Sequence, residues 1–358
     1  MTILGLILAV LAFLLAWPIP AALARFRGDP ISEVVLWQAV GLSGGLSLIG
    51  AALAFAVAPG STSLPQGILA LLRGQTHTQL SVIAWIFLVI ALVLIGRLLG
   101  CLALTFYSAR KTRLRHDEIL HLLSEPSPNY PDTRIITTDE VVAYCLPKGP
   151  RKGTAVLSTG LIHALDEMER TAVIAHERAH LDFRHDVLVI PFAAWHRALP
   201  YFSATAIGLN SVNRLIELMA DDQAREHVDP QILARAVRSA AAISPEHRSD
   251  LSTQRIRRLS EPLDPARIPV RLMSIGLAAL LLLLPTLLIL TPATFGICAD
   301  QLSMRSASRT AAPETMNSLR GPTDDPMRSS KVFSAASASA IVTLRSVRML
   351  WSMVVSAS

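Results

Sequence analysis

The sequence predicts a mainly α-helical membrane protein, with about four transmembrane helices and one α+β domain between the third and the fourth. The chain is 51% hydrophobic but only 17% charged, whereas a soluble domain carries about a quarter charged residues. The excess apolar residues lie in four runs, each long enough for the roughly 20 helical residues that cross a bilayer. Between the last two runs, about 160 residues remain, enough for an independent core.

The four runs set the predicted domain boundaries. We expect the spans at about 2–24, 34–57, 80–106 and 272–297. The predicted domains are three transmembrane helices in 1–108, the central domain in 109–267, the fourth helix in 268–298 and an extracytoplasmic tail in 299–358. The tail is rich in Ser, Ala, Thr and Arg and has little to bury, which predicts disorder. A further span at 340–355 is disfavoured by Arg345 and Arg348.

Basic residues in short loops predict the orientation of the spans, because such loops stay in the cytoplasm. Arg25 and Arg27 follow the first run, and four basic residues follow the third run directly. This places the central domain in the cytoplasm and the protein in the cell membrane. The end of the first run, Ala22-Leu23-Ala24, is similar to a signal-peptidase site. No basic residue precedes that run, however, so we expect a retained span.

Other classes of protein fit the composition less well. The net charge is +6, but the basic residues form no stripe with interleaved aromatics, so we expect no direct binding of nucleic acid. Cys101, Cys145 and Cys298 are scattered and predict neither a disulfide framework nor a paired-cysteine metal site. A transporter would carry ionisable residues in mid-span. Only Arg97 stands out, near the cytoplasmic end of the third run, from which its side chain can reach the membrane surface.

One helix of the central domain carries a metal-binding pattern. Asp166 is suited to cap the helix, with Glu169 in capping-box position. His176 and His180 are four residues apart, so they share one face one turn apart and can converge on a zinc ion, Zn²⁺. Glu177 lies beside the first histidine and can act as the general base on a zinc-bound water. The pattern therefore predicts a zinc hydrolase site with Glu177 as its catalytic residue.

A third ligand is expected from a later helix. Glu217 would complete a set of two histidines and one glutamate, leaving a position open for water. Asp221 lies four residues on and would accept a hydrogen bond from the second nitrogen of His176, which fixes the histidine tautomer. The alternatives are surface histidines on a charged helix and an ordinary acidic helix face. The apolar turn 172–175 favours a buried helix and therefore the zinc site.

The rest of the central domain gives weaker signals. Strands are expected at 134–138, 141–145 and 155–158, with the last two forming a hairpin. Val142 to Cys145 could pair with an extended substrate by β-augmentation. The apolar stretch 187–209 contains His196 and Arg197, so it predicts an amphipathic helix at the membrane face or inside the domain, rather than a further span. The candidates for stabilising an oxyanion, which spacing does not separate, are Tyr201, His227 and His247.

These motifs together resemble the gluzincin membrane peptidases of the BlaR/MecR antirepressor family. The resemblance covers residues 110–298. It rests on four segments: His176 to His180 followed by Arg184-His185-Asp186, Trp195 to Pro200, Glu217 to Asp221, and Arg255 to Leu259. The hairpin from Val142 to Thr159 is similar to the strand pair before the zinc helix in that family and in HtpX-type and Ste-type relatives.

The resemblance implies a gluzincin-type zinc endopeptidase that faces the cytoplasm. Its partners would be the lipid bilayer and a protein or peptide substrate, such as a BlaI/MecI-type transcriptional repressor or the peptidase itself. Beta-lactam sensors of the family add a penicillin-binding domain, whereas about 60 residues follow the fourth run here, too few for such a domain. The alternative function is a catalytically inert, zinc-binding signal transducer. A structural zinc site is closed by four protein ligands, and the sequence offers no obvious fourth.

Overall fold

Long apolar helices dominate the computed structural model of the chain, which describes residues 1–26, 28–58, 61, 63–74, 81–147, 153–243, 250–261 and 267–290. Among these residues, four helices are long and apolar enough to cross a membrane: Thr2–Leu23, Pro30–Val57, Val82–Leu123 and Ile268–Leu290. The predicted tail 299–358 and the end of the predicted fourth run, 291–297, lie outside the described residues.

Most of the described elements are helices, and the strands follow one another in a single segment. In chain order they are α1 (Thr2–Ala16), α2 (Pro18–Leu23), α3 (Pro30–Val57), α4 (Leu64–Leu72), α5 (Val82–Leu123), β1 (Ser124–Pro126), β2 (Thr133–Ile136), β3 (Ala143–Pro147), β4 (Gly153–Ser158), α6 (Thr159–Ala164), α7 (Glu167–Asp182), α8 (His185–Ala198), α9 (Ser203–Ala224), α10 (Pro230–Ile243), α11 (Asp250–Ser260) and α12 (Arg267–Leu290). The strands are thus confined to one segment, directly before the helices that carry the predicted site.

Two boundaries differ from the prediction. The first apolar run is interrupted at Trp17, because Pro18 has no N–H to donate and disfavours helical geometry in the residue before it. Helix α5 does not end near residue 108 but continues to Leu123. Residues 109–123 are rich in Leu and Arg, which have high helix propensity, and contain neither Gly nor Pro.

Helix α3 is at the centre of the apolar helices and contacts α1, α5 and α12. Small buried residues such as Ser43, Gly45 and Ser47 allow its neighbours to approach closely. The Ser43 hydroxyl donates a hydrogen bond to the Leu281 carbonyl of α12 over 2.6 Å. Such a bond removes an unpaired polar group from an apolar environment, so it holds the two helices in register.

The sheet has four described strands in the order β1-β2-β4-β3. Strands β3 and β4 pair antiparallel, with Ala143 opposite Leu157, so the predicted hairpin strands are neighbours; residues 148–152 between them lie outside the described part. Strand β2 runs parallel to β4, and β1 pairs antiparallel with β2. The sequence did not predict β1, because Ser-Glu-Pro has no strand signal. The order leaves β3 at one edge of the sheet.

The helices after the sheet join it to the apolar helices. Helix α7 contacts β3, β4, α9 and α10. Helices α8 and α9 contact α3 in one buried cluster, where Trp37 and Val40 of α3 pack with Phe192 of α8 and with Val212 and Leu215 of α9. One hydrophobic core therefore connects the predicted ligand helix α9 to a predicted membrane span.

Candidate metal centre

Helix α7 begins with the predicted capping box. The Asp166 carboxylate accepts a hydrogen bond from the Glu169 N–H over 2.7 Å, and the Glu169 carboxylate accepts one from the Asp166 N–H over 3.2 Å. These bonds satisfy donors that the first helical turn leaves free. Because the start of α7 is fixed in this way, its later residues His176 and His180 face α9 across a packed interface.

Three side chains from two helices converge at this interface. The Nε2 atoms of His176 and His180 are 3.2 Å apart. Glu217 of α9 places one carboxylate oxygen 3.4 Å from His176 Nε2 and the other 3.6 Å from His180 Nε2. The three ligand atoms lie within 4.8 Å of one another, and among the described residues they form a group that could hold a metal ion. The structure thus brings together the three predicted ligands.

The spacing of these atoms fits zinc. Nitrogen and oxygen ligands lie about 2.0–2.2 Å from zinc, so two ligands at a tetrahedral angle are about 3.3–3.5 Å apart. The two Nε2 atoms are 3.2 Å apart, and each lies 3.4 or 3.6 Å from a different oxygen of Glu217, so all three separations are close to that range. Two imidazoles and one carboxylate are also the ligand set of catalytic zinc sites, which keep the fourth position open. The donor chemistry and the distances therefore agree.

Asp221 contacts the far side of the first histidine, as predicted. Its carboxylate lies 3.0 Å from His176 Nδ1, and the residue is only 1% exposed. When His176 is neutral, as a metal ligand must be, an N–H at Nδ1 that donates to this carboxylate leaves the lone pair on Nε2, the atom that faces Glu217 and His180. Asp221 therefore holds His176 in the tautomer and orientation that a metal ligand needs.

Arg255 of α11 is a residue that the sequence prediction did not place in the site. Its guanidinium donates hydrogen bonds to both carboxylate oxygens of Asp221, over 2.7 and 2.8 Å, and one to Glu217 over 3.2 Å. The side chain is 16% exposed. A buried fork of this kind fixes the planes of both carboxylates. Helix α11 therefore takes part in the site through one arginine.

His185 is the second unpredicted contact. Its Nδ1 lies 2.9 Å from Nδ1 of His180, and the two rings meet edge to face with centroids 4.8 Å apart. His185 is 1% exposed, and burial first, then the neighbouring His180, lowers its pKa to about 3. It is therefore neutral and can accept a hydrogen bond from His180 Nδ1. That bond leaves Nε2 of His180 free to bind a metal.

Replacing His185 should weaken zinc binding. We expect His185→Leu, which cannot accept the hydrogen bond, to lower the zinc affinity by about 10- to 100-fold, the usual cost of losing an outer-shell partner. His185→Asn keeps an amide oxygen that can accept the bond and should lose less. Competition with a zinc-binding dye measures both affinities. A wild-type affinity in His185→Leu would show that His180 needs no partner at Nδ1.

The comparison with family models covers the same region. Residues 109–262 match the model described as Peptidase family M48, and we call this segment the M48 domain after that match alone. The match includes the three converging side chains, Glu177, Asp221, His185 and Arg255. No curated protein matches the chain. The M48 match indicates a protease and supports the metallopeptidase part of the resemblance, whereas the BlaR/MecR type stays a prediction.

Within the M48 domain, the carboxyl group of Glu177 has a raised pKa. Burial is the main reason that its pKa rises to about 7, and the like charge of Glu217 adds to the rise, although His176 opposes it. The thiol of Cys145 on β3 hydrogen-bonds the Glu177 carboxylate. Burial, together with the charge of Glu177, raises the pKa of Cys145, so it stays a neutral thiol. A carboxylate with a pKa near neutrality can both take and return a proton.

The electrostatics of the site keep the carboxylates of Asp221 and Glu217 ionised. Burial and the Arg255 charge oppose protonation of His176, but hydrogen bonds to Asp221 and Glu217 outweigh them and raise its pKa to about 9. Burial lowers the pKa of His180 to about 4. Despite burial, Arg255 and His176 lower the pKa of Asp221 to about 2, and the pKa of Glu217 also lies below its ordinary value. Both carboxylates are therefore ionised at neutral pH.

The structure does not bring the oxyanion candidates to the metal group. Tyr201 precedes α9 and is 96% exposed, roughly 20 Å from Glu217 along the helix. His227 is exposed, and its Nδ1 lies 3.3 Å from the Gln223 carbonyl. His247 lies outside the described residues. The cationic group that the described residues do bring to the metal group is Arg255, which pairs with its carboxylates.

Proposed function

We propose that the chain is a membrane-anchored zinc endopeptidase, with His176, His180 and Glu217 as the metal ligands and Glu177 as the catalytic residue. The convergence of the three ligand atoms beside a carboxylate of raised pKa carries the proposal. The M48 match, a family whose peptidases are typically zinc-dependent, supports it. A ligand group of three, as found among the described residues, favours a catalytic site over a closed structural one.

The chain's own residues supply positioning and proton transfer. Bound zinc would polarise a substrate carbonyl and lower the pKa of water. Asp221 and His185 hold the two ligand imidazoles by their Nδ1 atoms, so both Nε2 atoms stay directed at one point. Glu177 accepts the proton of the attacking water and returns it to the leaving amine, which its pKa of about 7 allows near neutral pH.

Strand β3 offers a place for the peptide substrate. It is the edge strand of the described sheet, and its residue Cys145 contacts the Glu177 carboxylate. An extended peptide paired with such an edge gains main-chain hydrogen bonds. The peptide would then pass directly beside the general base. We therefore include substrate binding by β-augmentation on Val142 to Cys145 in the proposal.

We also propose that the M48 domain faces the cytoplasm. Four apolar helices could span a membrane. Arg25 comes just before α3, whose Glu33 pairs with Arg214 of the M48 domain over 3.3 Å, and Arg113 of α5 pairs with Asp186 of the same domain over 2.5 Å. Arg25 and the basic residues 110–115 therefore lie at one end of this helix group. Such a cluster marks the cytoplasmic side. A regulatory role, by cleavage of a BlaI/MecI-type repressor or of the chain itself, rests on the resemblance alone and completes the proposal.

Exchange of the glutamate ligand tests the metal assignment. We expect Glu217→Gln, purified as the full chain in detergent, to bind zinc at least about tenfold more weakly than wild type, because it loses an anionic ligand and an outer-shell loss alone costs that much. Glu226→Gln, an exposed acid just after α9, is the matched control and should bind zinc normally. Zinc content after dialysis is the measurement. Equal zinc in both variants would remove Glu217 from the ligand set.

A further inference from the structure

We propose that α8 and α9 form a re-entrant hairpin whose tip, residues 199–202, enters the hydrocarbon core of the bilayer from the side of the M48 domain and turns back within it. The proposed partner of the tip is the acyl chains of the lipids. The proposal rests on the membrane placement of α3 and α5 but not on the peptidase activity. It decides where the apolar stretch 187–209 lies, which its sequence left open.

Contacts along α3 show that α8 runs beside it in the same direction. The Gln38 side chain donates to the Leu188 carbonyl over 3.2 Å. Seven residues further along both helices, the ring of Trp195 packs on Gly45 so closely that a Cβ there would lie 2.6 Å from it. The two helices therefore run in the same direction, and α8 follows α3 toward the middle of the latter.

Helix α9 returns along the same helix. Gly208 lies against Trp37, where a Cβ would be 3.4 Å from the indole ring. Arg214 then pairs over 3.3 Å with Glu33, in the first turn of α3. Increasing numbers on α9 thus match decreasing numbers on α3, so the two helices are antiparallel. The loop between α8 and α9 is the deepest point of the hairpin.

The depth follows from the helical rise. Glu33 and Gly45 are separated by 12 residues, which is roughly 18 Å along α3. A hydrocarbon core is about 30 Å thick. Because Trp195 packs on Gly45 and the loop lies beyond Trp195, the tip reaches about the middle of the core. Helix α8 has 14 residues, roughly 21 Å, and is too short to cross.

The contacts of α5 agree with this depth. The rings of Phe55 on α3 and Phe87 on α5 are 4.9 Å apart, which sets the register of these antiparallel helices. Gly45 is ten residues before Phe55 on α3, and Arg97 is ten residues after Phe87 on α5, so Gly45 and Arg97 lie at about the same depth. Arg97 Nε donates to the Ala198 carbonyl, at the end of α8, over 2.5 Å. An arginine inside a span is expected to pair with a backbone carbonyl or another charge. Arg97 caps the end of α8 at this depth and does not extend to the membrane surface, which differs from the expectation drawn from its sequence position.

Several polar groups at the tip are paired within the hairpin. The Thr205 hydroxyl lies 2.7 Å from the Phe202 carbonyl and 3.1 Å from the Leu199 carbonyl. It also lies 3.2 Å from Nδ1 of His196, and the Phe202 N–H donates to the Leu199 carbonyl. Non-helical backbone is tolerated at membrane depth where it is buried in protein or lines a water-filled cavity, because its polar groups need partners there. The bonds above supply partners for the Leu199 and Phe202 carbonyls, and Arg97 of α5 covers the Ala198 carbonyl at the end of α8.

The side chains at the tip complete the pattern. Tyr201 is 96% and Phe202 49% exposed, although both are large aromatics. His196 and Arg197 lie in the last turn of α8, where the carbonyl ends of the helix favour positive charge. Exposed aromatics that follow a membrane-deep helix are suited to contact acyl chains.

Single-cysteine labelling tests the hairpin. In a chain with Cys101, Cys145 and Cys298 replaced by Ala, we would introduce Tyr201→Cys, with Phe202→Cys as a second variant. Val89→Cys, on the exposed face of α5, is the lipid control, and Leu122→Cys, at the exposed end of α5, is the aqueous control. Inverted and right-side-out vesicles are treated with a membrane-impermeant maleimide, and labelled again after solubilisation. Size-exclusion profiles of all variants verify folding.

We expect Tyr201→Cys to behave like Val89→Cys, with no labelling from either side and full labelling in detergent. Packing within the protein would not explain such protection, since Tyr201 is almost fully exposed. Labelling from the same side as Leu122→Cys would place the tip in water beside the M48 domain and overturn the proposal. Labelling from the opposite side would show that α8 and α9 cross the membrane. Labelling of Val89→Cys would remove the membrane placement itself, whatever the outcome of the zinc experiments.

Discussion

The Glu177→Gln variant should lose proteolysis by at least about 100-fold while it keeps its zinc. General acid–base catalysis contributes about 10²- to 10⁴-fold to such reactions, and an amide cannot take the proton of water. Glu177 is not one of the converging ligand atoms, so the exchange leaves His176, His180 and Glu217 in place. Cleavage of fluorescein-labelled casein and zinc content, measured on the same sample of full-length chain, check both parts.

Glu167→Gln is the matched control for this experiment, because Glu167 is an exposed glutamate on the same helix. It should cleave casein at the wild-type rate. If Glu177→Gln retained full activity with full zinc, Glu177 would not be the base. If wild type bound zinc but cut neither casein nor itself, the signal-transducer alternative would gain support. Loss of zinc from Glu177→Gln would instead point to disruption of the ligand group.

The local part of the site could be predicted from the sequence because it depends on helical spacing. His176, Glu177 and His180 lie within five residues of α7, and the capping box at Asp166 marks where the helix begins. Glu217 and Asp221 were predicted from the same four-residue spacing on α9. In the structure, Glu217 lies near Nε2 of His176 and Asp221 lies near Nδ1 of the same ring. Periodicity fixed which side chains share a face, and residue type fixed what they can bind.

The other contacts depend on packing between distant elements, which spacing does not determine. Arg255 reaches Asp221 from a helix 34 residues later, and its neighbours Arg257 and Arg258 made it one of several equivalent basic residues. His185 is close in sequence, but it contacts His180 only because Arg184 adopts a left-handed conformation (φ 51°) that turns α8 away from α7. That conformation is uncommon for arginine and leaves no signal in the sequence.

The membrane part was predictable to the level of element type. Four apolar helices were expected, and the structure describes four. The stretch 187–209 has the composition of neither a full span nor an ordinary domain helix, and the depth that we propose for it comes from its contacts with α3 and α5. The extension of α5 to Leu123 was missed because basic residues at 110–115 suggested a boundary. Those residues mark the membrane surface and do not end the helix.

Arg255→Met should strongly destabilise the M48 domain. Methionine keeps much of the apolar stem but removes the charge that pairs with Asp221 and Glu217. Leaving one partner of a buried ion pair without its counter-charge costs about 3–5 kcal/mol. We therefore expect a clear fall in the thermal unfolding midpoint of the full-length chain in detergent with a chelator present. Arg257→Met, an exposed arginine two residues later on α11, should melt like wild type.

Zinc separates the electrostatic role of Arg255 from simple packing. A divalent cation beside Glu217 would replace part of the lost positive charge, so added zinc should raise the unfolding midpoint of Arg255→Met more than that of wild type. Arg255→Lys keeps the charge but not the fork that bonds both oxygens of Asp221, and should fall between the two. An unfolding midpoint equal to wild type in Arg255→Met with chelator would contradict the role of this arginine. If zinc did not reduce the fall in the unfolding midpoint of Arg255→Met, the loss of stability would be assigned to packing. The uncompensated charge of the carboxylates would then not be its cause.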